Sequence, residues 1–324
     1  MLVPAALLVG WLIYQGYQNE RRTLERHWSG AARATALLVD ATIAERQALL
    51  GGLATSSRLQ PGALAEFAAQ AASAVPSNDE WIVLIDGTGR QLINTAAPAG
   101  APLPTIRFRD EFREAATHGR NYISNLTLGP ATQRHIVFTA LPILRHGQLQ
   151  YTLNFAMTPP VFDRALNLGG VAKGWTAAIV DREQTLVARN RRPEQYVGVK
   201  ATEPLRATLA AQADGILETV TLDGIKSITA FTRSTKSGWT VVVAAPAGEL
   251  FASAERLLLV AVVVSLLLGA LAVAVALWVG RGVVAAVRTL VADTEAIGRG
   301  EVLGPGETGM KETDFVFRAL AEKY

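Results

Sequence analysis

The longest uninterrupted run of apolar positions lies near the C-terminus and predicts a membrane-spanning helix. Residues 257–280 (LLLVAVVVSLLLGALAVAVALWVG) contain no charged side chain. As a helix this run extends roughly 36 Å, which exceeds the roughly 30 Å hydrocarbon core of a bilayer. Arg256 precedes the run, and Arg281 and Arg288 follow it. We therefore predict a transmembrane helix over residues 251–280.

A shorter apolar segment begins the chain. Residues 1–14 (MLVPAALLVGWLIY) end among Trp11, Tyr14 and Tyr17, aromatic residues typical of a membrane interface. No basic residue precedes the segment and no Ala-x-Ala-like cleavage site follows it. The preferred interpretation is a first transmembrane helix over residues 1–18 whose cytoplasmic start is missing or misassigned, and an uncleaved signal sequence is the alternative.

The charges around the second span predict the orientation of the chain. The arginines that follow it in a short segment place the C-terminus in the cytoplasm. The region between the two spans is then extracytoplasmic, in the periplasm if the membrane is a bacterial inner membrane.

Between the spans, the polar and apolar pattern first predicts helices. From residue 19 to about residue 56, apolar positions recur mainly at steps of three and four, which indicates one stripe of a long helix. The predicted stripe consists of Leu24, Trp28, Ala31, Thr35, Leu38, Thr42 and Leu49. Gly51-Gly52 and Gln60-Pro61-Gly62 are expected to interrupt it, and a second helix follows over about 63–74. Residues 19–75 are thus assigned to stalk helices.

The pattern then changes to short strands, and these form an internal repeat. Trp81 opens WIVLID, which is followed by a Gly-Thr-Gly turn and a second strand. Trp175 opens WTAAIVD, which is followed by a polar turn and a second strand. Each copy continues with a crossover and a closing pair of strands, 135–144 with 149–157 and 227–233 with 239–245. The predicted fold class is α+β with a mixed or antiparallel sheet in each copy.

The stalk helix, the repeat and the unbroken exit into the second span resemble the double Cache (dCache) extracytoplasmic sensor domains of bacterial receptors, including the input halves of sensor histidine kinases. The segments WIVLIDGTGRQLINT, WTAAIVDREQTLVAR and SGWTVVVAAPAGEL carry the resemblance over about residues 20–255. It implies two tandem PAS-like units, a membrane-distal one at 76–168 and a membrane-proximal one at 169–250. It also implies that the distal unit binds ligand and the proximal unit transmits. The Tyr/Arg/Trp/Tyr/Asp signature of amino-acid-binding members is not found with its spacing.

Residues 281–324 resemble a HAMP linker, in which two short amphipathic helices are joined by a connector that contains glycine. Val283, Val287 and Leu290 lie at coiled-coil-like spacing in the first helix. The proline usual early in that helix is Ala286 here. HAMP helices form a parallel dimeric bundle, so the resemblance implies a homodimer.

Composition narrows the function classes. The chain has no cysteine, which excludes disulfides and thiolate sites, and its net charge of +3 is spread along the sequence, so no nucleic-acid partner is expected. The four histidines are isolated, so no metal site and no other cofactor are expected. Asp86 and Asp181 occupy equivalent places in the repeat, where turn capping is favoured over a catalytic pair. We find no catalytic motif in residues 1–324.

A small-ligand pocket needs a few polar groups in an apolar cleft. In the distal unit, polar side chains on the later strands and the crossover are the candidates: Arg107, Tyr122, Ser124, Arg134, His135 and Asn154. A guanidinium such as that of Arg134 suits a carboxylate or a phosphate.

The sequence therefore predicts a transmembrane receptor that senses a small periplasmic molecule. The signal would pass through the second span and the HAMP-like segment to a cytoplasmic output, preferably a histidine kinase with a response regulator as its partner. A chemoreceptor or a diguanylate cyclase is the alternative output. A membrane-tethered periplasmic scaffold or hydrolase is the alternative from another class.

Overall fold

The computed structural model describes residues 2–98 and 100–298, with side chains described mainly between residues 26 and 248. Contacts between Cα atoms group Tyr17–Ala252 into one compact unit, here called the central unit, apart from the outer parts of the first and last helices. The central unit contains both copies of the repeat.

The first helix, α1 (Leu2–Ala54), is continuous over 53 residues. Its buried stripe includes Trp28, Val39, Ile43 and Leu50. The prediction was wrong at Leu38, which is 38% exposed, because the buried stripe passes through its neighbour Val39.

The predicted interruption of the stalk at Gly51-Gly52 was also wrong, since α1 continues to Ala54. A glycine costs a helix only about 1 kcal/mol relative to alanine. Burial of Leu50 and Leu53 on the last turn offsets that cost.

The first copy of the repeat forms an antiparallel sheet in the order β2-β1-β6-β5-β3, with β4 also paired to β5. Its strands are β1 (Glu80–Asp86), β2 (Gln91–Asn94), β3 (Tyr122–Ile123), β4 (Thr127–Leu128), β5 (His135–Arg145) and β6 (Gln148–Met157). Three helices accompany it, α2 (Leu64–Ser73), α3 (Asp110–Thr117) and α4 (Asp163–Leu168), the last preceded by a 3-10 turn at Pro159–Phe162.

The second copy forms an antiparallel sheet in the order β8-β7-β11-β10-β9, which repeats the strand order of the first. Its strands are β7 (Thr176–Val180), β8 (Leu186–Arg189), β9 (Asp214–Val220), β10 (Lys226–Arg233) and β11 (Thr240–Pro246), with α5 (Pro193–Tyr196) and α6 (Glu203–Ala211). The two antiparallel sheets and the long first helix confirm the predicted α+β class.

Strand alternation divides each sheet into two faces. In β1, Ile82 and Leu84 pack in the core that α1 shares with both sheets. Trp81, Val83 and Ile85 point to the opposite face, where they join the aromatic rings of Phe108 and Phe112. The second sheet has a corresponding outer cluster around Leu205 and Phe231. The first sheet therefore presents an outer face that α1 does not cover.

The last helix, α7 (Ala247–Gly298), begins directly after β11. Within the described part of the chain, Val262–Ala285 is the one helical segment long and apolar enough to cross a membrane. The first span at 1–18 stays a prediction. Of the HAMP-like segment, residues 281–298 continue α7, whereas the rest of its connector and its second helix lie outside the described residues.

Candidate ligand-binding site

A cavity of about 270 Å³ lies on the outer face of the first sheet. Its floor is formed by β1 and β6, one side by the residues that lead into α3, and the other by the segment from Tyr122 to Thr132. The walls are mainly apolar, with Trp81, Val83, Phe108 and Phe112 among them. This size is close to the lower end for ligand pockets and suits a small metabolite.

Two asparagines that line this apolar cavity carry buried side-chain amide oxygens. Asn154 donates from Nδ2 to the carbonyl oxygen of Val83 at 3.2 Å and to both the carbonyl and the hydroxyl of Thr152. Asn125 donates from Nδ2 to Oε1 of Glu183 at 3.2 Å. These bonds orient both amides, because only the nitrogen can donate. Each Oδ1 is buried without a hydrogen-bond partner among the described residues.

A third buried oxygen, the hydroxyl of Thr132, also lines the cavity and has no partner in the described structure. Leaving a buried polar atom unpaired costs roughly 1–3 kcal/mol, so such atoms are uncommon in folded proteins. Three such atoms belong to residues that line this one cavity.

The charged groups of the cavity are cations. Arg107 is exposed and makes no hydrogen bond or ion pair with a described residue, and Arg109 lies 3.1 Å from Glu183 through Nη1 and Oε1. The described lining residues include no aspartate or glutamate. The electrostatic potential at the cavity mouth therefore favours an anion.

Tyr122 closes one side of the cavity. Its ring lies 5.2 Å from that of Phe112 between centroids, and the guanidinium of Arg182 lies 5.6 Å from its centroid. Burial raises the pKa of the Tyr122 phenol, and the charge of Arg182 opposes that rise in part. The phenol is consequently neutral at physiological pH and keeps its hydrogen as a donor.

Among the six candidates from the sequence, the structure brings Arg107, Tyr122, Ser124 and Asn154 together around the cavity. The hydroxyl of Ser124 accepts the amide hydrogen of Phe138 at 2.8 Å, which anchors the cavity wall to β5.

Arg134 and His135 do not line this cavity. Arg134 pairs with Asp79 at 2.6 Å. His135 packs against Gly198 of the second copy, where an added Cβ would lie 2.9 Å from the imidazole ring. Arg134 precedes β5 and His135 is its first residue, so both come ahead of the cavity-lining positions Ile136 and Phe138.

The sequence did not identify Asn125, Thr132 or Arg109. Asn125 and Thr132 lie in irregular backbone around two-residue strands, where no periodicity indicates which side chains point inwards. Arg109 immediately precedes α3, and nothing in the sequence distinguishes it from an ordinary surface arginine.

The corresponding cavity of the second sheet is only about 50 Å³. In the second sheet, Arg189 takes the place that Asn94 has in the first. Arg189 pairs with Ala178 of β7 as Asn94 pairs with Val83 of β1. On the next strand Val242 takes the place of Asn154, paired with Ala178 as Asn154 is with Val83. The longer side chain of Arg189 and the apolar side chain of Val242 therefore line a much smaller cavity than the one in the first copy.

A buried ion pair completes this closure. Arg189 is 2% exposed, donates to Oδ2 of Asp223 at 2.5 Å and lies with its guanidinium 4.4 Å from the centroid of Tyr196. Burial alone would raise the pKa of Asp223, but the hydrogen bond and charge of Arg189 outweigh it and lower that pKa. The second sheet thus supplies its own cation and its own counter-ion.

The two repeat aspartates cap their turns as predicted. Asp86 accepts from the amides of Thr88 and Arg90, and Asp181 accepts from the amide of Thr185. Among the described residues, no group of three histidines, aspartates or glutamates is arranged to hold a metal ion.

The comparisons with known proteins agree with this architecture. The Cache domain family (dCache_1) matches residues 17–254. The extracellular domain of the inferred histidine kinase rpHK1S-Z16 is similar with a TM-score of 0.56 at 14% identity, covering 72% of this chain and 98% of that one. A search of curated proteins finds no match.

Two chemoreceptor domains share the same fold. The ligand-binding domain of Pseudomonas fluorescens CtaA, in complex with L-isoleucine, gives a TM-score of 0.55 at 15% identity over 74% of this chain and 99% of that one. The corresponding domain of Pseudomonas aeruginosa PctC, in complex with GABA, gives 0.52 at 18% identity over 69% and 100%. Because the family match covers most of the chain, this protein belongs to the Cache domain family, and it shares its fold with the sensory domains of a histidine kinase and of two chemoreceptors.

Proposed function

We propose that this chain is the sensory part of a transmembrane receptor that binds a small organic carboxylate in the first-sheet cavity. The observation that carries the proposal is the combination of unpaired buried acceptors with free arginine at the cavity mouth. Arg107 supplies a guanidinium for the carboxylate, and the apolar wall takes the body of the ligand. The Oδ1 atoms of Asn125 and Asn154 accept from a hydroxyl or an ammonium group.

The solved relatives support this ligand class. L-isoleucine in CtaA and GABA in PctC each carry a carboxylate together with an ammonium group. The cavity described above has groups that complement both. Its described lining residues offer amide oxygens and no carboxylate, so hydroxy acids are ligands as suitable as amino acids.

The second copy is proposed to transmit and not to bind. Its cavity is nearly closed, and its last strand passes directly into α7. In this proposal residues 76–168 form the distal unit, 169–250 the proximal unit, and 19–75 the stalk.

The remaining parts of the receptor are proposed from the sequence. We propose that residues 1–18 and the apolar part of α7 span a bacterial inner membrane, with the sensor in the periplasm. Residues 281–324 would act as a HAMP-like relay in a homodimer. A histidine kinase is the preferred output in view of the rpHK1S-Z16 relative, and the two chemoreceptor relatives favour a chemotaxis output as the second candidate.

Thermal unfolding of the full chain in detergent micelles tests the ligand class. The panel contrasts L-isoleucine and its 2-hydroxy acid analogue with the carboxylate alone and the amine alone. A ligand at 100 times its Kd stabilises by about 2.7 kcal/mol, which raises the Tm of a domain this size by about 5–10 °C. We expect such a rise with a hydroxy or amino acid, a smaller one with the carboxylate, and none with the amine.

Two variants make the test specific. Arg107→Gln removes the unpaired guanidinium and should reduce the carboxylate-dependent rise. Arg120→Gln removes an exposed arginine that pairs with Glu114 away from the cavity, and should not. Stabilisation by the amine alone, or equal effects of the two substitutions, would show that the ligand class is wrong.

A further inference from the structure

One wall of the cavity is held by the second sheet. The wall segment consists of Ile123–Leu126, which joins β3 to β4. Each of its four residues makes a hydrogen bond to a side chain of the second copy. Arg182 donates to the carbonyl of Ile123 at 2.8 Å, Trp239 donates to that of Ser124 at 3.2 Å, Asn125 donates to Glu183 at 3.2 Å, and the amide of Leu126 donates to Asp181 at 3.0 Å.

Three of these partners are consecutive and form the turn between β7 and β8, here called the β7–β8 turn (Asp181, Arg182 and Glu183). The equivalent turn of the first sheet is Asp86-Gly-Thr-Gly, whose short side chains cannot reach another unit. The side chain of Asp86 accepts only hydrogen bonds from its own turn among the described residues. The repeat therefore keeps the capping aspartate in both copies and adds the longer side chains only in the second.

The same turn holds a cation of the cavity. Oε1 of Glu183 accepts from both Arg109 and Asn125, and both of these residues line the cavity. A carboxylate ligand that attracts Arg109 would compete with Glu183 for it. The charge on the β7–β8 turn and the charge of a ligand thus act on one guanidinium.

The contacts continue from the wall towards the exit of the domain. Asp181 directly follows β7, whose residue Val180 pairs with Thr240 of β11. Trp239 directly precedes β11 and is fully buried. β11 in turn leads into α7 without an intervening residue. The end of β7 and the start of β11, which lie side by side in the second sheet, are therefore both attached to the wall segment.

We propose that the β7–β8 turn, together with Trp239, is the element through which the cavity acts on the second sheet. The inference rests on the proposed function only in taking the cavity as the ligand site. A contiguous set of contacts does not establish coupling, so the coupling itself has to be measured.

Hydrogen–deuterium exchange of the full chain in detergent, without any ligand, measures it in both directions. In the first direction, Asp181→Ala is compared with Asp86→Ala, since both remove a turn cap but only the former removes a bond to the wall. Loss of a hydrogen bond to a buried carboxylate should accelerate exchange of residues 122–128 about tenfold. Asp86→Ala should leave that segment unchanged.

In the reverse direction, Asn125→Ala is compared with Thr132→Ala. Both residues line the cavity, but only Asn125 contacts the β7–β8 turn. Exchange of residues 181–186 should rise about threefold in Asn125→Ala and stay at the wild-type rate in Thr132→Ala. Glu183→Ala, on an exposed side chain, repeats the first direction if Asp181→Ala does not fold.

Unchanged exchange of residues 122–128 in both Asp181→Ala and Glu183→Ala would overturn the inference, as would equal effects of each variant and its control. Because no ligand is present, these results do not depend on the panel of carboxylates. If the panel fails and the exchange coupling is found, the ligand class is wrong and the relay stands.

Discussion

Removing the carboxylate of Asp223 should destabilise the protein more than removing both members of its ion pair. Arg189 is 2% exposed, so Asp223→Ala leaves its guanidinium buried with the carbonyl of Arg191 at 3.0 Å as its remaining acceptor. Leaving a buried charge without its partner costs about 3–5 kcal/mol. The ring of Tyr196 and the carbonyl of Arg191 still solvate the guanidinium in part, as they do in the wild type. The loss should then be about 3 kcal/mol, at the lower end of that range.

Thermal unfolding of the full chain in detergent converts this loss into a measurable shift. For a domain of this size, 1 kcal/mol corresponds to about 2–4 °C, so Asp223→Ala should lower the Tm by about 6–12 °C. The double variant Arg189→Met/Asp223→Leu removes both charges and keeps apolar volume, and its Tm should be close to that of the wild type. Arg189→Met should lie between them, because Arg191 and Arg192 lie 3.9 and 3.5 Å from Asp223 and still pair with it.

An exposed carboxylate of the second sheet serves as the control for Asp223→Ala. Asp214→Ala removes an exposed carboxylate from the same sheet and should change the Tm by less than about 2 °C. If the double variant is as unstable as Asp223→Ala, the loss comes from packing and not from an unpaired charge. The conclusion that a buried ion pair closes the second cavity would then be refuted.

Three further predictions concern the cavity, the turn and the stalk. Asn154→Val, which copies Val242 of the second sheet, should weaken binding of a hydroxy or amino acid about tenfold in calorimetric titration; unchanged affinity would remove Asn154 from the site. The hydrogen bond from Asn125, and then the charge of Arg109, lower the pKa of Glu183 against the opposing effect of burial. The stability that this carboxylate contributes is present above the ordinary glutamate pKa of 4.5 and is lost as the pH falls below it. Glu183→Gln should therefore flatten the fall of Tm below about pH 5, by less than about 1 kcal/mol because the side chain is half exposed. Parallel curves of Tm against pH for the wild type and the variant would contradict this. Gly169→Ala should cost about 1–3 kcal/mol in thermal unfolding, because its Cβ would meet the backbone Cα of Thr35 at 2.9 Å, whereas Gly62→Ala meets nothing within 4 Å and serves as the control.

The strands were predictable because a short apolar run bounded by turn residues is a local signal. The four long closing strands and both opening strands follow from such runs, several of which are buried on both faces, and from the turns between them. The stalk stripe was less accurate. A pattern of steps of three and four fits two adjacent positions almost equally well, and only packing against the sheets selects Val39 over Leu38.

The cavity was only partly predictable, for a physical reason. Asn154 was found because a polar residue on an apolar strand is conspicuous in sequence. Asn125 was missed because β3 and β4 have two residues each, too few for a pattern. Its orientation is set by Glu183, 58 positions away along the chain, and no local rule contains that contact.

The two copies of the repeat have diverged in opposite directions, and this gives the molecule a polarity. At the cavity, the first copy keeps small polar groups and open space, whereas the second replaces Asn94 by Arg189 and closes. At the turn, the first copy keeps glycines and its Asp86 side chain bonds only within the turn, whereas the second carries Arg182 and Glu183, which reach the wall of the first-copy cavity. The open cavity belongs to the first copy and the turn with long side chains to the second, and the cavity wall and the turn are in contact. A molecule with interchangeable copies would respond equally to Asp86→Ala and Asp181→Ala, so an unequal response is what a directed relay from the first sheet to the second requires.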